Sequence, residues 1–153
     1  MSTIRVIGVG NLFRGDDAAG RIVARELASR IPSDASVSIT ESSGEAGELM
    51  ESFDGVDCVL LADAIEANAE PGRVFRFDAS DTPLPAPEFA CSTHALGLSE
   101  SIELARALER LPSVVIVYGI QGESFEHGKE ISPAVRRGIA ETMERILGDI
   151  GIL

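Results

Sequence analysis

The chain is poor in several features that mark large protein classes, beginning with positive charge. It has 13 basic residues against 25 acidic ones, which gives a formal net charge of -12 at pH 7. Nucleic acids and anionic membranes both attract Lys and Arg, so this balance argues against either as a partner. No apolar run approaches the length of a membrane span, and no signal-peptide pattern precedes the first apolar run. We therefore expect a cytoplasmic protein.

The motifs of the common hydrolases are also missing. There is no HExxH helix, no GxSxG turn, and no spacing of cysteine and histidine that indicates a thiol protease. The two cysteines are far apart and show no metal-type spacing. Cys58 lies in an apolar run and is expected in the core, whereas Cys91, three residues before a histidine, is left open.

The composition is otherwise that of an ordinary globular protein. Hydrophobic residues make up 44% of the chain, with 15 Gly and 7 Pro. A chain of 153 residues is long enough for one hydrophobic core but too short for two cores of ordinary size, so we expect one domain over residues 1–153. No heptads or exposed apolar helix indicate assembly, which favours a monomer.

Five apolar runs predict a mostly parallel sheet between helical layers, a three-layer α/β/α fold with a five-stranded twisted sheet. Most runs are continuous rather than alternating, which is typical of strands covered on both faces by helices. Only residues 64–73 separate the third run from the fourth, and a parallel crossover usually needs a dozen residues or more. The fourth strand should therefore be antiparallel. The predicted strands are residues 4–9, 37–40, 58–62, 74–77 and 114–120.

Apolar side chains at helical spacing predict four helices between and after these strands. The first ends at Pro32, the second is short and covers residues 47–53, and the fourth has Pro133 in its first turn. The predicted buried faces are Ala19, Ile22, Val23 and Leu27 in the first helix, Leu98, Ile102, Ala105 and Leu108 in the third, and Val135, Ile139, Met143 and Ile146 in the fourth.

A glycine-rich, acidic loop, GVGNLFRGDDAAG from Gly8, joins the first strand to the first helix. It is a poor phosphate loop, because Phe13 stands where the dinucleotide fingerprint wants a third glycine and two acids would repel a pyrophosphate. Asp16 and Asp17 fall at the helix start, where ordinary N-terminal capping is one explanation for both. A cation site is the other.

Three side chains from separate loops are candidates for that site. If the first strand lies between the second and the third, the loops after strands one and three border the switch point where open sheets bind ligands, and Asp17 faces Asp63. The long, proline-containing loop over residues 78–97 delivers His94, which by itself has an ordinary structural alternative. Two carboxylates and an imidazole leave a divalent zinc or nickel ion with an open position, which indicates a metallohydrolase. His127, among glutamates, is expected on the surface.

Four stretches give the chain a resemblance to a known family: GVGNLFRGDDAAG, LLADAI from Leu60, STHALGL from Ser92 and GESFEHGKEISPAV from Gly122. They resemble the hydrogenase maturation proteases, endopeptidases that trim the C-terminal extension of the nickel-iron hydrogenase large-subunit precursor. The resemblance implies a mostly parallel sheet with one antiparallel strand. It places the metal ligands at Asp17, Asp63 and His94, with nickel supplied by the substrate and zinc or another divalent metal as a substitute.

Some points stay open within this resemblance. The attacking water is activated either directly by the metal or by a base, which is a carboxylate freed from coordination or, as a weaker candidate, Asp16. The chain departs from the family at Ala18, at Gly122, and over residues 42–45, where Ser-Ser-Gly-Glu replaces the common Asp-Gly-Gly-Thr. Gln121, Glu123 and Glu126 belong to a family motif without an assigned role. The alternatives to a protease are a non-catalytic nickel-loading sensor or chaperone for the same precursor and a nucleotide-binding α/β module.

Overall fold

The computed structural model describes residues 2–32, 34, 36–85 and 97–152 of the chain, and its strands form one five-stranded sheet. The sheet has the order β2-β1-β3-β5-β4, with β1 between β2 and β3 as predicted. The strands are β1 (Ile4–Val9), β2 (Val37–Ser42), β3 (Cys58–Ile65), β4 (Val74–Asp78) and β5 (Val114–Gln121).

The strand directions confirm the mixed sheet. The strands β2, β1, β3 and β5 are mutually parallel, and β4 pairs antiparallel with β5 at the edge. The link from β3 to β4 is too short for a parallel crossover, which explains the reversal. Because β1, β3 and β5 are parallel, their carboxyl ends meet at one edge of the sheet, here called the carboxyl edge.

Four of the five strands, β2, β3, β4 and β5, run further than the sequence predicts. β3 continues to Ile65 with all eight residues buried, and it stays paired with β5 as far as Gln121. Asp63 therefore lies inside a strand, opposite Gly119, and not in a turn after it. The backbone ladder tolerates a polar side chain near its end, because pairing uses only main-chain groups.

Among the described residues, four α-helices cover both faces of the sheet: α1 (Ala19–Arg30), α2 (Ala46–Phe53), α3 (Leu98–Ala107) and α4 (Pro133–Ile152). The helices α1 and α4 pack on one face, and α2 and α3 pack on the other. Alternate strand residues feed the two cores, so that Leu60 joins the first and Leu61 the second. This gives the three layers and explains why the strands are apolar on both faces.

One predicted core residue is on the surface. Leu108 follows the last residue of α3 and has 54% of its area exposed, so the buried face of that helix ends at Ala105. The helix stops here because Glu109 adopts a positive φ of 56°. In the described part of the chain no helix is both long and apolar enough to cross a membrane.

Candidate functional site

A close contact between α1 and the sheet places the acidic loop at the carboxyl edge. A Cβ atom at Gly20 would lie 2.2 Å from the carbonyl oxygen of Ala62 and 2.3 Å from that of Val9. Only glycine allows the first turn of α1 to rest on the ends of β1 and β3 in this way. The 3-10 turn Gly15–Ala18, which carries both acids, immediately precedes α1 and packs against β3.

The structure brings Asp17 and Asp63 together at this edge. Their exposed fractions are only 6% and 8%. Burial raises the pKa of Asp63 well above its ordinary value, and the negative charge of Asp17 raises it further, against a smaller opposing effect of the Ala64 backbone. Two carboxylates with little water and mutual repulsion are an environment that a bound cation relieves. Their role as metal ligands stays a prediction.

Asp16, the neighbouring acid, has a different environment. It is fully buried, and its two oxygens accept hydrogen bonds from the backbone N–H groups of Glu123 (2.8 Å), Ser124 (3.0 Å) and Ser132 (2.8 Å) and from the Ser132 hydroxyl (3.1 Å). Asp16 thus holds residues 122–132, the loop between β5 and α4, against the turn that carries Asp17. The proposed role of Asp16 as a base stays a prediction, and these contacts favour a positioning role.

Further main-chain contacts join the same two loops. The N–H of Asp16 donates to the Ser124 carbonyl (2.8 Å), and the N–H of Gly128 donates to the Phe13 carbonyl (3.0 Å). Gly15 has a φ of 54°, and a Cβ there would lie 2.6 Å from the Ser124 oxygen. The capping explanation for Asp16 is therefore wrong: its hydrogen bonds go to residues 123–132, more than 100 residues away and ending at the residue before α4, and not to the start of its own helix.

Gln121 has a positioning role that the sequence does not reveal. Its buried side-chain oxygen accepts hydrogen bonds from the N–H groups of Ala67 (2.8 Å) and Ala69 (3.2 Å). Its amide nitrogen donates to Glu66 Oε1 and to the Gly122 carbonyl. The last residue of β5 thereby fixes the loop between β3 and β4. In the sequence, the only indication of this role is that Gln121 is a polar residue at the end of an apolar run.

Residues 42–45, where the chain departs from the family pattern, lie beside the acidic loop and lead into α2. The N–H of Gly10 donates to the Ser42 carbonyl (3.1 Å), so this segment adjoins the acidic loop. Glu45 caps α2 by accepting from the N–H groups of Gly47 and Glu48. At position 45 this chain has a glutamate where the family pattern has a threonine. Both residue types can cap a helix, so the change at Glu45 is compatible with the start of α2.

Two predicted residues fall outside the described part of the chain. Neither His94 nor Cys91 lies within residues 2–32, 34, 36–85 or 97–152, so the predicted meeting of His94 with the carboxylates stays a prediction. Within those ranges no group of three His, Cys, Asp or Glu side chains is placed to hold a metal ion. His127 is exposed and Cys58 is buried, as expected.

Comparison with known proteins extends this description. Residues 22–149 match the family model described as HycI, hydrogenase maturation protease. The chain belongs to the hydrogenase maturation protease family. The hydrogenase expression/formation protein HupD of Bradyrhizobium diazoefficiens is 27% identical over 153 residues, which cover 97% of this chain and 80% of HupD.

Solved structures of the hydrogenase maturation protease family share the fold. The maturating endopeptidase HybD from Escherichia coli superposes with a TM-score of 0.78 at 22% identity, covering 97% of this chain and 91% of HybD. The maturation protease HycI from Thermococcus kodakarensis KOD1 gives a TM-score of 0.70 at 29% identity, with 95% and 90% covered. The mixed sheet with one antiparallel strand is therefore the fold of the family.

Proposed function

We propose that this hydrogenase maturation protease removes the C-terminal extension of a nickel-iron hydrogenase large-subunit precursor after nickel insertion. The family membership supports the reaction class. The observation that carries the finer proposal is the pair of buried carboxylates, Asp17 and Asp63, at the carboxyl edge of the sheet. We further propose that His94 completes the set of ligands for the nickel of the substrate.

The environment of the carboxylate pair gives a reason for cleavage to wait for the metal. Without a cation the two acids repel each other in a site with little water. A precursor that carries nickel supplies the positive charge that this site favours, and a precursor without it does not. Nickel held there would polarise the scissile carbonyl and lower the pKa of the attacking water.

The attacking water must give its proton to a base. The hydrogen bonds of Asp16, Asp17 and Asp63 differ, and this difference indicates which of them can be that base. Both oxygens of Asp16 are already occupied by hydrogen bonds from residues 123–132. A base needs an oxygen within reach of the water. We therefore propose that Asp17 or Asp63, freed from coordination, accepts the proton, with Asp16 holding the loop.

The test is cleavage of purified nickel-loaded precursor, followed by mass spectrometry of the large subunit. We expect the wild-type protein to shorten the precursor, and Asp63→Asn and His94→Ala to abolish or greatly slow the reaction. Asp57→Asn is the matched control, because Asp57 precedes the same strand at its opposite end and its carboxylate accepts hydrogen bonds from the N–H and hydroxyl of Thr3. Nickel-free precursor should stay uncut.

Two results would contradict the proposal. Full cleavage by both Asp63→Asn and His94→Ala would remove these residues from the reaction. Binding of the nickel-loaded precursor by the wild-type protein without any change in its mass would instead favour a sensor or chaperone of nickel loading.

A further inference from the structure

The strand β2 forms an open edge of the sheet. Among the described strands it pairs with β1 alone, and in this parallel pair the N–H of Ile4 donates to the Ser36 carbonyl. Partners alternate along a parallel ladder, so the even-numbered residues of β2 bond to β1. The main-chain groups of Val37, Ile39 and Glu41 are therefore directed away from the sheet.

Most of these outward main-chain groups have no partner within residues 2–32, 34, 36–85 and 97–152. The N–H of Val37 donates to Asp34 Oδ1 (3.1 Å), and the Glu41 carbonyl accepts from the Thr40 hydroxyl (3.4 Å). No described residue bonds to the N–H or carbonyl of Ile39 or to the N–H of Glu41 on this side. Such a row of donors and acceptors at strand spacing can pair with another extended chain.

A groove follows this open edge between β2 and α1. It consists of two cavities of about 220 Å³ and 260 Å³, and both are lined by Ala28 of α1 and Ile39 of β2, so they adjoin. The first cavity reaches Val37 and the second reaches Glu41. At about 3.3 Å per residue, this β2 groove is about 13 Å long and holds a strand of about five residues. The open edge thus borders space that a chain from outside can enter, and most of the side chains lining that space are apolar.

The position of the β2 groove indicates which chain enters it. The groove ends at Glu41, and the carbonyl of the next residue, Ser42, accepts from the N–H of Gly10 in the acidic loop (3.1 Å). The groove therefore begins beside the carboxyl edge that carries Asp17 and leads away from it. In the proposed function, the segment that leaves this edge after the scissile bond is the C-terminal extension of the precursor.

Building on the proposed function, we propose that the C-terminal extension binds in the β2 groove as an added strand, antiparallel to β2. Its main chain accepts hydrogen bonds from the N–H groups of Ile39 and Glu41 and donates to the carbonyl of Ile39. Its apolar side chains, at alternate positions, pack on Ala28 and Ile39. These contacts lie away from the scissile bond and hold substrate and transition state alike, so their effect falls on KM and not on kcat.

Hydrogen exchange of the main-chain amides tests the added strand directly. It is measured on Asp63→Asn, which should leave the precursor uncut, alone, with nickel-loaded precursor and with mature large subunit that lacks the extension. We expect exchange at Ile39 and Glu41 to slow about 10-fold or more with the precursor only. The N–H groups of Ser38 and Thr40 already bond to β1 and are the internal reference, with little change expected.

Cleavage kinetics of nickel-loaded precursor test the same contacts in the active protein. Ile39→Pro removes the outward N–H and no bond to β1, and an edge strand tolerates proline at such a position. We expect its KM to rise about 10-fold, the effect of one or two lost hydrogen bonds, with kcat retained. Ile39→Val keeps the N–H and is the matched control with an unchanged KM. Urea unfolding of each variant shows that it is folded.

A second pair of variants tests the β2 groove without altering β2. Ala28 is exposed on α1 and lines both cavities, so the ring in Ala28→Tyr should fill the groove and raise KM about 10-fold or more. Ser29→Tyr places the same ring at the next exposed position, which lines neither cavity, and should leave KM unchanged.

The outcomes separate this inference from the proposed function. Wild-type cleavage with an unchanged KM in Ile39→Pro and Ala28→Tyr overturns the added strand alone. Equal protection of Ile39 by the mature subunit, or protection in the free protein that rises with its own concentration, assigns the edge to another occupant and also overturns it. A wild-type protein that leaves the precursor uncut but is protected by it at Ile39 and Glu41 overturns the proposed function alone. Neither cleavage nor protection overturns both.

Discussion

Replacing Asp16 tests whether this acid holds the site together or takes part in the chemistry. In Asp16→Ala, three backbone N–H groups and one hydroxyl lose their acceptor. An unsatisfied buried donor costs about 1–3 kcal/mol, and water replaces part of the loss at these partly buried contacts. We therefore expect the free energy of unfolding to fall by about 3–5 kcal/mol. Asp16→Asn keeps one oxygen and the shape, and should lose roughly half as much.

The assay is urea unfolding followed by far-UV circular dichroism, with precursor cleavage measured on the same samples. Activity should fall together with stability, because the loop over residues 122–132 is released from the turn that carries Asp17. Asp34→Ala is the matched control. Asp34 accepts three hydrogen bonds, from the N–H groups of Ser36 and Val37 and from the Ser36 hydroxyl, but it lies at the exposed surface, so the loss of stability in this variant should be much smaller. An Asp16→Asn variant with wild-type stability and no activity would refute this reasoning and make Asp16 the base.

Three further predictions follow from single contacts. Because burial raises the pKa of Asp63, folding takes up a proton, and wild-type stability should fall as the pH rises from the unfolded value near 3.8 through the raised folded pKa. Asp63→Asn should lack this slope and be the more stable protein at neutral pH, as urea unfolding of metal-free samples will show; an unchanged slope contradicts the assignment. Gly20→Ala should cost about 3 kcal/mol or more in thermal or urea unfolding, since its Cβ would lie 2.2 Å from a strand oxygen, whereas Gly148→Ala, with open space around it, should gain about 0.5–1 kcal/mol. Gln121→Leu should lower stability by about 2 kcal/mol and accelerate amide exchange mainly in residues 66–73; exchange that is faster elsewhere but not there would contradict this role.

The strand pattern was predictable because burial on both faces leaves a direct mark on the sequence. Apolar runs identify all five strands, nearly continuous in β1, β3 and β5 and interrupted by polar residues in β2 and β4, and the short link between the third and fourth fixes the antiparallel edge. The predicted ends of β2, β3, β4 and β5 were too early, because each prediction stopped where polar residues begin while the backbone ladder continues past them. A pattern of side chains cannot report a pairing that depends only on main-chain groups.

The candidate site was predictable in its place and not in its internal roles. Parallel strands bring their carboxyl ends together, so Asp17 and Asp63 could be expected at one edge. The role of Asp16 could not be foreseen, since its partners lie 107 to 116 residues further along the chain. Two adjacent aspartates thus look equivalent in the sequence, and only tertiary contacts distinguish them.

The contrast between Asp16 and Asp63 connects the stability of the carboxyl edge to its function. Asp16 is fully buried, and several donors compensate its burial, so it contributes to the order of the edge. Asp63 is buried beside a like charge, and the raised pKa means that its ionised form opposes folding at neutral pH. A neutral side chain of the same size would remove that penalty. The edge therefore combines a carboxylate that holds two loops together with a carboxylate whose ionised form is costly, and in the proposed function the metal-loaded substrate offsets that cost.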